Sequence, residues 1–250
     1  MNTTPSDTRA KPTRILVVDD DIDTCANLAD ILQEFGHEVR IAHDARSALR
    51  LLEQHGFDVV LLDLRLPEMD GLQLYRELKQ RSPMTVAILI TGFADSDACL
   101  RAEHLGVRQV LSKPIDVPAL LPLISDAAQQ PLLLMIDDDR DFCDSLCDVL
   151  RERSFRVGIA GSAAEAARQM SRHDFQIILV DWRLPDADGL ELLKELHQHQ
   201  PDAQIVLLTA YRHELNHVLE MATLGGVDVL FYKPLEMDRF LSTLSHLTSR

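Results

Sequence analysis

Asp63 and Asp181 each close an apolar run, in VVLLDLRLPEMDGLQL (59–74) and IILVDWRLPDADGLEL (177–192). A carboxylate at the end of a buried strand is costly unless it has a partner or a task. Each half of the chain supplies possible partners. Three aspartates follow another apolar run: Asp19, Asp20 and Asp21 in the first half, Asp137, Asp138 and Asp139 in the second. A threonine ends a third run (Thr91, Thr209), and a Lys-Pro pair ends a fourth (Lys113–Pro114, Lys233–Pro234). Clustered carboxylates repel one another. A hard divalent cation relieves this, and Mg²⁺ prefers carboxylate oxygens while keeping waters that a phosphate oxygen can replace. The lysine ammonium is a compact donor for a second anionic oxygen, and a threonine hydroxyl can supply a third contact. Around such a set the central aspartate, Asp63 or Asp181, can attack phosphorus and become an aspartyl phosphate.

These residues act together only if the fold gathers them. The landmarks recur at a fixed interval: Asp19 and Asp137, Asp63 and Asp181, and Thr91 and Thr209 are each 118 residues apart, and the lysines are 120 apart. A period this long is a duplicated domain rather than a solenoid repeat. The halves run over 13–129 and 131–250, behind a disordered lead-in over 1–12. Each reads as strand then helix, five times. The strands are expected at 14–18, 37–41, 58–62, 85–90 and 108–112, then at 132–136, 155–159, 176–180, 204–208 and 228–232. Several are continuous apolar runs, as in sheets covered by helices on both faces. Amphipathic stretches such as CANLADILQEFG lie between them, and Gly36 suits a helix stop. The fold class is therefore α/β: two doubly wound (βα)5 domains with five-stranded parallel sheets, whose sites lie past the carboxyl ends of the strands. Pro118 suits the first turn of the last helix of the first half, whereas Pro122 should weaken or bend it.

Composition narrows the classes. The 250 residues are 46% hydrophobic and 26% charged, with a formal charge of −15, so two ordinary globular cores fit and general nucleic-acid binding does not. No run is long enough for a membrane span, and MNTTPSDTRAKPT lacks the apolar core of a secretory signal. A cytoplasmic location follows as the expectation. Cys25, Cys99, Cys143 and Cys147 match no metal-site spacing and read as small buried residues in a reducing compartment.

Both halves resemble the receiver domains of two-component response regulators, flavodoxin-like folds. The resemblance rests on the five landmarks, twice, and the second half, with VDWRLPDADGLELL, is similar to chemotaxis-type receivers. It implies Asp63 and Asp181 as phosphoacceptors. Asp20 and Asp138 would ligate Mg²⁺ directly beside Asp19 and Asp137. Thr91 and Thr209 would be switch hydroxyls, Lys113 and Lys233 phosphate-binding lysines, and the Lys-Pro bonds cis. Arg65, Phe93, Arg183 and Tyr211 stand where the family tunes phosphate lifetime. The aromatic switch expected three residues before the lysine is replaced by Val110 and Leu230. The partners implied are a sensor histidine kinase or histidine phosphotransfer protein, a downstream protein and, as one option, a second copy of the chain in a homodimer. The contact surface implied is the fourth helix, fifth strand and fifth helix of one domain.

Taken singly, each landmark has a plainer reading. An Asp triplet can cap a helix, as Asp21 and Asp139 are expected to do, and Asp-Gly at 70–71 and 188–189 is turn chemistry. Trp182 reads as packing beside the third strand of its half. Three functions remain open: a stand-alone tandem receiver signalling through protein contacts, a phosphorylation-independent scaffold, and a receiver fragment of a hybrid kinase. A haloacid-dehalogenase-type phosphatase is disfavoured, because Arg65 and Arg183 occupy the place of its second aspartate. The starting Met and the final helix, with nothing after it, suggest a complete chain without an output domain.

Overall fold

A computed structural model describes residues 12–67, 69–92, 101, 102, 105, 107, 109–186, 188–210 and 226–248. Apart from Pro12, the expected lead-in lies outside these residues, as does most of the helix expected between the fourth and fifth strands of each half. Contacts divide the chain into two units, Met1–Ala128 and Gln129–Arg250. The first contains β1 (Arg14–Val18), α1 (Ile22–Glu34), β2 (Glu38–Ala42), α2 (Ala45–Gln54), β3 (Val59–Asp63), α3 (Gly71–Arg81), β4 (Val86–Thr91), β5 (Val110–Ser112) and α4 (Val117–Gln129). The second contains β6 (Leu132–Ile136), α5 (Arg140–Glu152), β7 (Arg156–Ala160), α6 (Ala163–Met170), β8 (Ile177–Asp181), α7 (Gly189–His199), β9 (Gln204–Thr209), β10 (Val229–Tyr232) and α8 (Met237–Leu247).

Each unit has one five-stranded parallel sheet. Their orders are β2-β1-β3-β4-β5 and β7-β6-β8-β9-β10. The first strand of each unit is therefore second in its sheet, flanked by the second and third strands. The chain leaves it in one direction and returns on its other side, which opens a crevice beyond the carboxyl ends of the first and third strands.

Alternation along the strands explains why they read as unbroken apolar runs. Leu16, Val18, Val60, Leu62 and Leu89 pack with Ala48 and Leu52 of α2 and Leu72, Tyr75 and Leu78 of α3. The intervening Ile15, Val17, Val59, Leu61, Ile88 and Ile90 pack with Cys25, Leu28 and Leu32 of α1 and Leu120, Ile124 and Ala127 of α4. One sheet thus seals two cores, and neither strand face can be polar. In the second unit, Leu133, Met135, Ile177, Leu179, Val206 and Leu208 meet Cys143, Leu146, Cys147 and Leu150 of α5 and Phe240, Leu241 and Leu244 of α8.

The structure corrects some boundaries. β3 and β8 begin one residue later than expected and include Asp63 and Asp181, because Asp63 pairs with Ile90 and Asp181 with Leu208. The fifth strand shortens to Val110–Ser112, an edge strand paired with β4 alone among the described strands. α4 runs on through Pro122, and its buried face of Leu120, Ile124 and Ala127 holds it to the sheet despite the hydrogen bond that proline removes. Gly36 ends α1 with φ +87° as a helix stop requires, while Ser154 takes the corresponding place after α5 with φ +63°.

Close approach fixes one further position. A Cβ on Gly71 would lie 2.4 Å from the carbonyl oxygen of Asp63 and 2.6 Å from Cα of Leu64. Both atoms are backbone, so Gly71→Ala must push the end of β3 away, and we expect a loss of about 2–3 kcal/mol in urea unfolding. At Gly189 a Cβ first meets the Trp182 ring, at 3.0 Å. A ring can yield where backbone cannot, so Gly189→Ala should cost about 1 kcal/mol and alter Trp182 fluorescence.

Candidate functional site

The crevice of the first unit is lined from three strand ends. Asp19 follows β1, with its amide donating to the Ala42 carbonyl at 3.2 Å. One of its carboxylate oxygens accepts from the Asp21 amide at 3.0 Å. Asp21 in turn caps α1 by accepting from the Thr24 amide, so the triplet divides its labour between the crevice and the helix. Asp63 ends β3 and accepts from the Arg65 amide at 3.0 Å. Lys113 follows β5, and its amide donates to the carbonyl of Thr91 at 2.7 Å. The lysine Nζ reaches across and lies 2.6 Å from Oδ2 of Asp19 and 2.6 Å from Oδ2 of Asp63. Carboxylate oxygens of Asp19, Asp20 and Asp63 gather within 4.8 Å of one another.

The second unit repeats this arrangement. Asp137 accepts from the Asp139 amide at 3.0 Å, and Asp139 caps α5 through the Phe142 amide. Asp181 accepts from the Arg183 amide at 3.1 Å. Lys233 donates its amide to the Thr209 carbonyl at 2.8 Å. Its Nζ lies 2.6 Å from Oδ2 of Asp137 and 2.9 Å from Oδ1 of Asp181. Asp137, Asp138 and Asp181 form the second carboxylate cluster, again within 4.8 Å. Both Lys-Pro bonds are cis, Lys113–Pro114 and Lys233–Pro234.

Asp19, Asp63 and Asp137 are buried, Asp181 is half-buried, and Asp20 and Asp138 are exposed at the mouth. Burial opposes the positive charge of each lysine. The hydrogen bonds that Lys113 donates to Asp19 and Asp63 outweigh it, as do those that Lys233 donates to Asp137 and Asp181, so both ammonium groups are held above their ordinary range. Burial pushes the Asp181 carboxyl up, and the Lys233 hydrogen bond pulls it back in part. Each site is thus a low-dielectric pocket with more carboxylates than the one ammonium can neutralise. Every side-chain donor in the clusters is a hard oxygen, with one exposed carboxylate open to water. That set fits a hydrated Mg²⁺ and offers nothing to a soft metal.

Thr91 and Thr209 are buried at the last positions of β4 and β9, beside the lysines through their backbones. Arg65 and Arg183 lie two residues past the central aspartates and are exposed. Phe93 and Tyr211 lie outside the described residues. Val110 and Leu230 are half-buried on the fifth strands of their units. Cys25, Cys143 and Cys147 are buried free thiols, while Cys99 is outside the described residues. Cys25 donates to the Asp19 carbonyl at 3.3 Å, and Cys143 sits in the corresponding place, 3.7 Å from that of Asp137. One neighbour of the site was not legible in the motifs. The Phe142 ring lies under Lys233, with Nζ 4.3 Å from its centroid.

Comparison with known proteins bears on both units. The family described as the response regulator receiver domain matches residues 15–125 and again 133–245. A response regulator receiver protein of Anaeromyxobacter sp. (strain Fw109-5) is 34% identical over 234 residues, covering 94% of each chain. The transcriptional regulatory protein ZraR of Escherichia coli (strain K12) is 34% identical over 113 residues, 45% of this chain and 26% of that one. Among solved structures, a CheY-like receiver domain protein of Methanospirillum hungatei JF-1 is 28% identical over 48% of this chain and 94% of its own, with a TM-score of 0.44.

Proposed function

This chain belongs, in both halves, to the response regulator receiver domain family, and on that premise we propose that Asp63 and Asp181 each accept a phosphoryl group. The donor is the phosphohistidine of a sensor histidine kinase or of a histidine phosphotransfer protein. The observation that carries this reading is the doubled junction of one lysine with two aspartates, 2.6 and 2.6 Å in one unit and 2.6 and 2.9 Å in the other. A carboxylate oxygen forms the new bond to phosphorus and the P–N bond breaks. Its electron pair returns to the imidazole, which leaves neutral because its other nitrogen carries a proton.

The residues of the crevice divide the work. Lys113 or Lys233 turns from its aspartates to an oxygen of the incoming group, and the Thr91 or Thr209 hydroxyl takes another. Asp20 and Asp63 beside Asp19, or Asp138 and Asp181 beside Asp137, would hold Mg²⁺, which would supply charge neutralisation for the phosphoryl oxygens. Arg65, Phe93, Arg183 and Tyr211 set the access of water to the product. With Val110 and Leu230 in place of an aromatic switch, the change is read at the surface by a route other than ring rotation. The output is a protein–protein contact in the cytoplasm, as relay, sink or adaptor, with homodimerisation as one form of it. No helix among the described residues is long and apolar enough to cross a membrane.

The test is an intact mass after incubation with Mg²⁺ and an acyl phosphate. Two added phosphoryl groups are expected, and none when the metal is chelated. Failure to bind Mg²⁺ at either cluster, with no mass gained, would overturn the reading.

A further inference from the structure

The two sites share their aspartates and lysines but differ in what lies beneath the lysine. Phe142 is the third residue of α5, and its amide is fixed by the Asp139 cap. Its ring packs at the border of the second unit's core, with the Lys233 ammonium 4.3 Å from its centroid. The corresponding residue of the first unit is Thr24, whose amide is fixed by Asp21 in the same way but which has no ring. The lysines register the difference: the Lys233 side chain is 19% exposed and that of Lys113 25%. The central carboxylates differ in the opposite sense, with the side chain of Asp181 14% exposed and that of Asp63 6%.

We propose that Phe142 is a positioning residue that holds the Lys233 ammonium over the second site and makes Asp181 the faster acceptor of the two. This inference rests on the phosphoacceptor reading. A lysine bound only by carboxylates must release one of them when that carboxylate becomes an acyl phosphate, and its long stem then has many rotamers open to it. An aromatic face attracts the ammonium without consuming a carboxylate lone pair or competing for the incoming group. The ring therefore keeps the charge within the crevice through the whole transfer. Lys113, which has no such ring beneath it among the described residues, must be re-ordered at each turnover.

The experiment compares phosphorylation of the full chain by acetyl phosphate at saturating Mg²⁺. In that step an Asp carboxylate oxygen bonds to phosphorus, the P–O bond to acetate breaks and the electron pair leaves as acetate. Rates are taken by intact mass at Asp181 in a chain carrying Asp63→Ala, and at Asp63 in a chain carrying Asp181→Ala. Phe142→Leu keeps apolar bulk but not the ring, and should slow Asp181 about fivefold, while Phe142→Tyr should restore it. Thr24→Phe should quicken Asp63 by a similar factor, about three- to fivefold. A second readout does not depend on turnover: the side-chain methylene protons of Lys233, shifted by the ring in the NMR spectrum, should move to ordinary positions in Phe142→Leu. Equal rates for Phe142→Leu and the parent chain, with phosphorylation intact, would overturn the inference and leave the phosphoacceptor reading standing. No phosphorylation of either parent chain would overturn both. Slowing by Phe142→Leu without recovery in Phe142→Tyr would mark a packing role and overturn the inference too.

Discussion

Asp181→Ala is expected to leave the chain one phosphoryl group lighter than wild type after treatment with Mg²⁺ and an acyl phosphate, and Asp63→Ala to do the same. The chain with both substitutions should gain none. The effect is expected to be all-or-none because the proposed nucleophile is the carboxylate itself, and no neighbour is placed to replace it. Asp19 and Asp137 are buried, accept from the Asp21 and Asp139 amides, and are held by the lysines. Asp20 and Asp138 are exposed, so a group placed there would meet water freely. Folding should survive either change. The alanine leaves the lysine with one partner, Asp19 or Asp137, rather than none. If Asp63→Ala removed both groups, the two units would be coupled and the first would feed the second. If one group persisted in the doubly substituted chain, the acceptor would be another residue and the assignment of both sites would fail.

The second large effect concerns the lysines. Lys233→Ala removes the charge that lies between Asp137 and Asp181, 2.6 and 2.9 Å away, and leaves two carboxylates facing each other in a pocket where Asp137 is 1% exposed. Breaking a buried ion pair from one side costs about 3 kcal/mol, because the remaining charge keeps its desolvation penalty without the attraction. In chelator-containing buffer we expect the melting of the second unit to fall accordingly. Added Mg²⁺ should recover more stability in Lys233→Ala than in wild type, since it relieves a larger repulsion. Phosphorylation of Asp181 should drop at least tenfold, by loss of a charge-assisted contact to the phosphoryl oxygen. Thermal unfolding with and without Mg²⁺, followed at Trp182, checks both. A variant as stable as wild type without metal would mean that the lysine's own desolvation had cancelled its attraction. The lysine would then serve transfer alone.

Much of this was readable because the pattern is redundant. Ile15 and Leu16 face opposite cores, as do Val59 and Val60, so a two-sided sheet had to appear as an unbroken apolar run. The strand ends were readable because polar residues interrupt those runs at the place where a doubly wound sheet gathers its site. The boundary of β3 was not, because Asp63 stays in register with Ile90 and the ladder outlasts the apolar run by one residue. The helix through Pro122 was expected at a local cost, but the compensating burial of Leu120 and Ile124 was not legible, because it depends on β1 and β3 far back in the chain. The stacking of Phe142 on Lys233 is of the same kind. Read along the chain, Phe142 is one more apolar position on an amphipathic helix, and only the return of the last strand brings a lysine over it.

The buried thiols have a consequence for watching the two units breathe. Burial pushes the Cys25 thiol up to about 11 and that of Cys143 up to about 12, so almost no thiolate exists at neutral pH. Both sulfurs are covered by the helix packed against the first strand of their unit, at matching positions. An alkylating reagent can reach them only when that helix lifts. Labelling rates at Cys25 and Cys143, separated by peptide mass, therefore clock the opening of each unit within one intact chain. Mg²⁺ should slow both clocks, and phosphorylation of one unit should be heard in the other only if the two halves communicate.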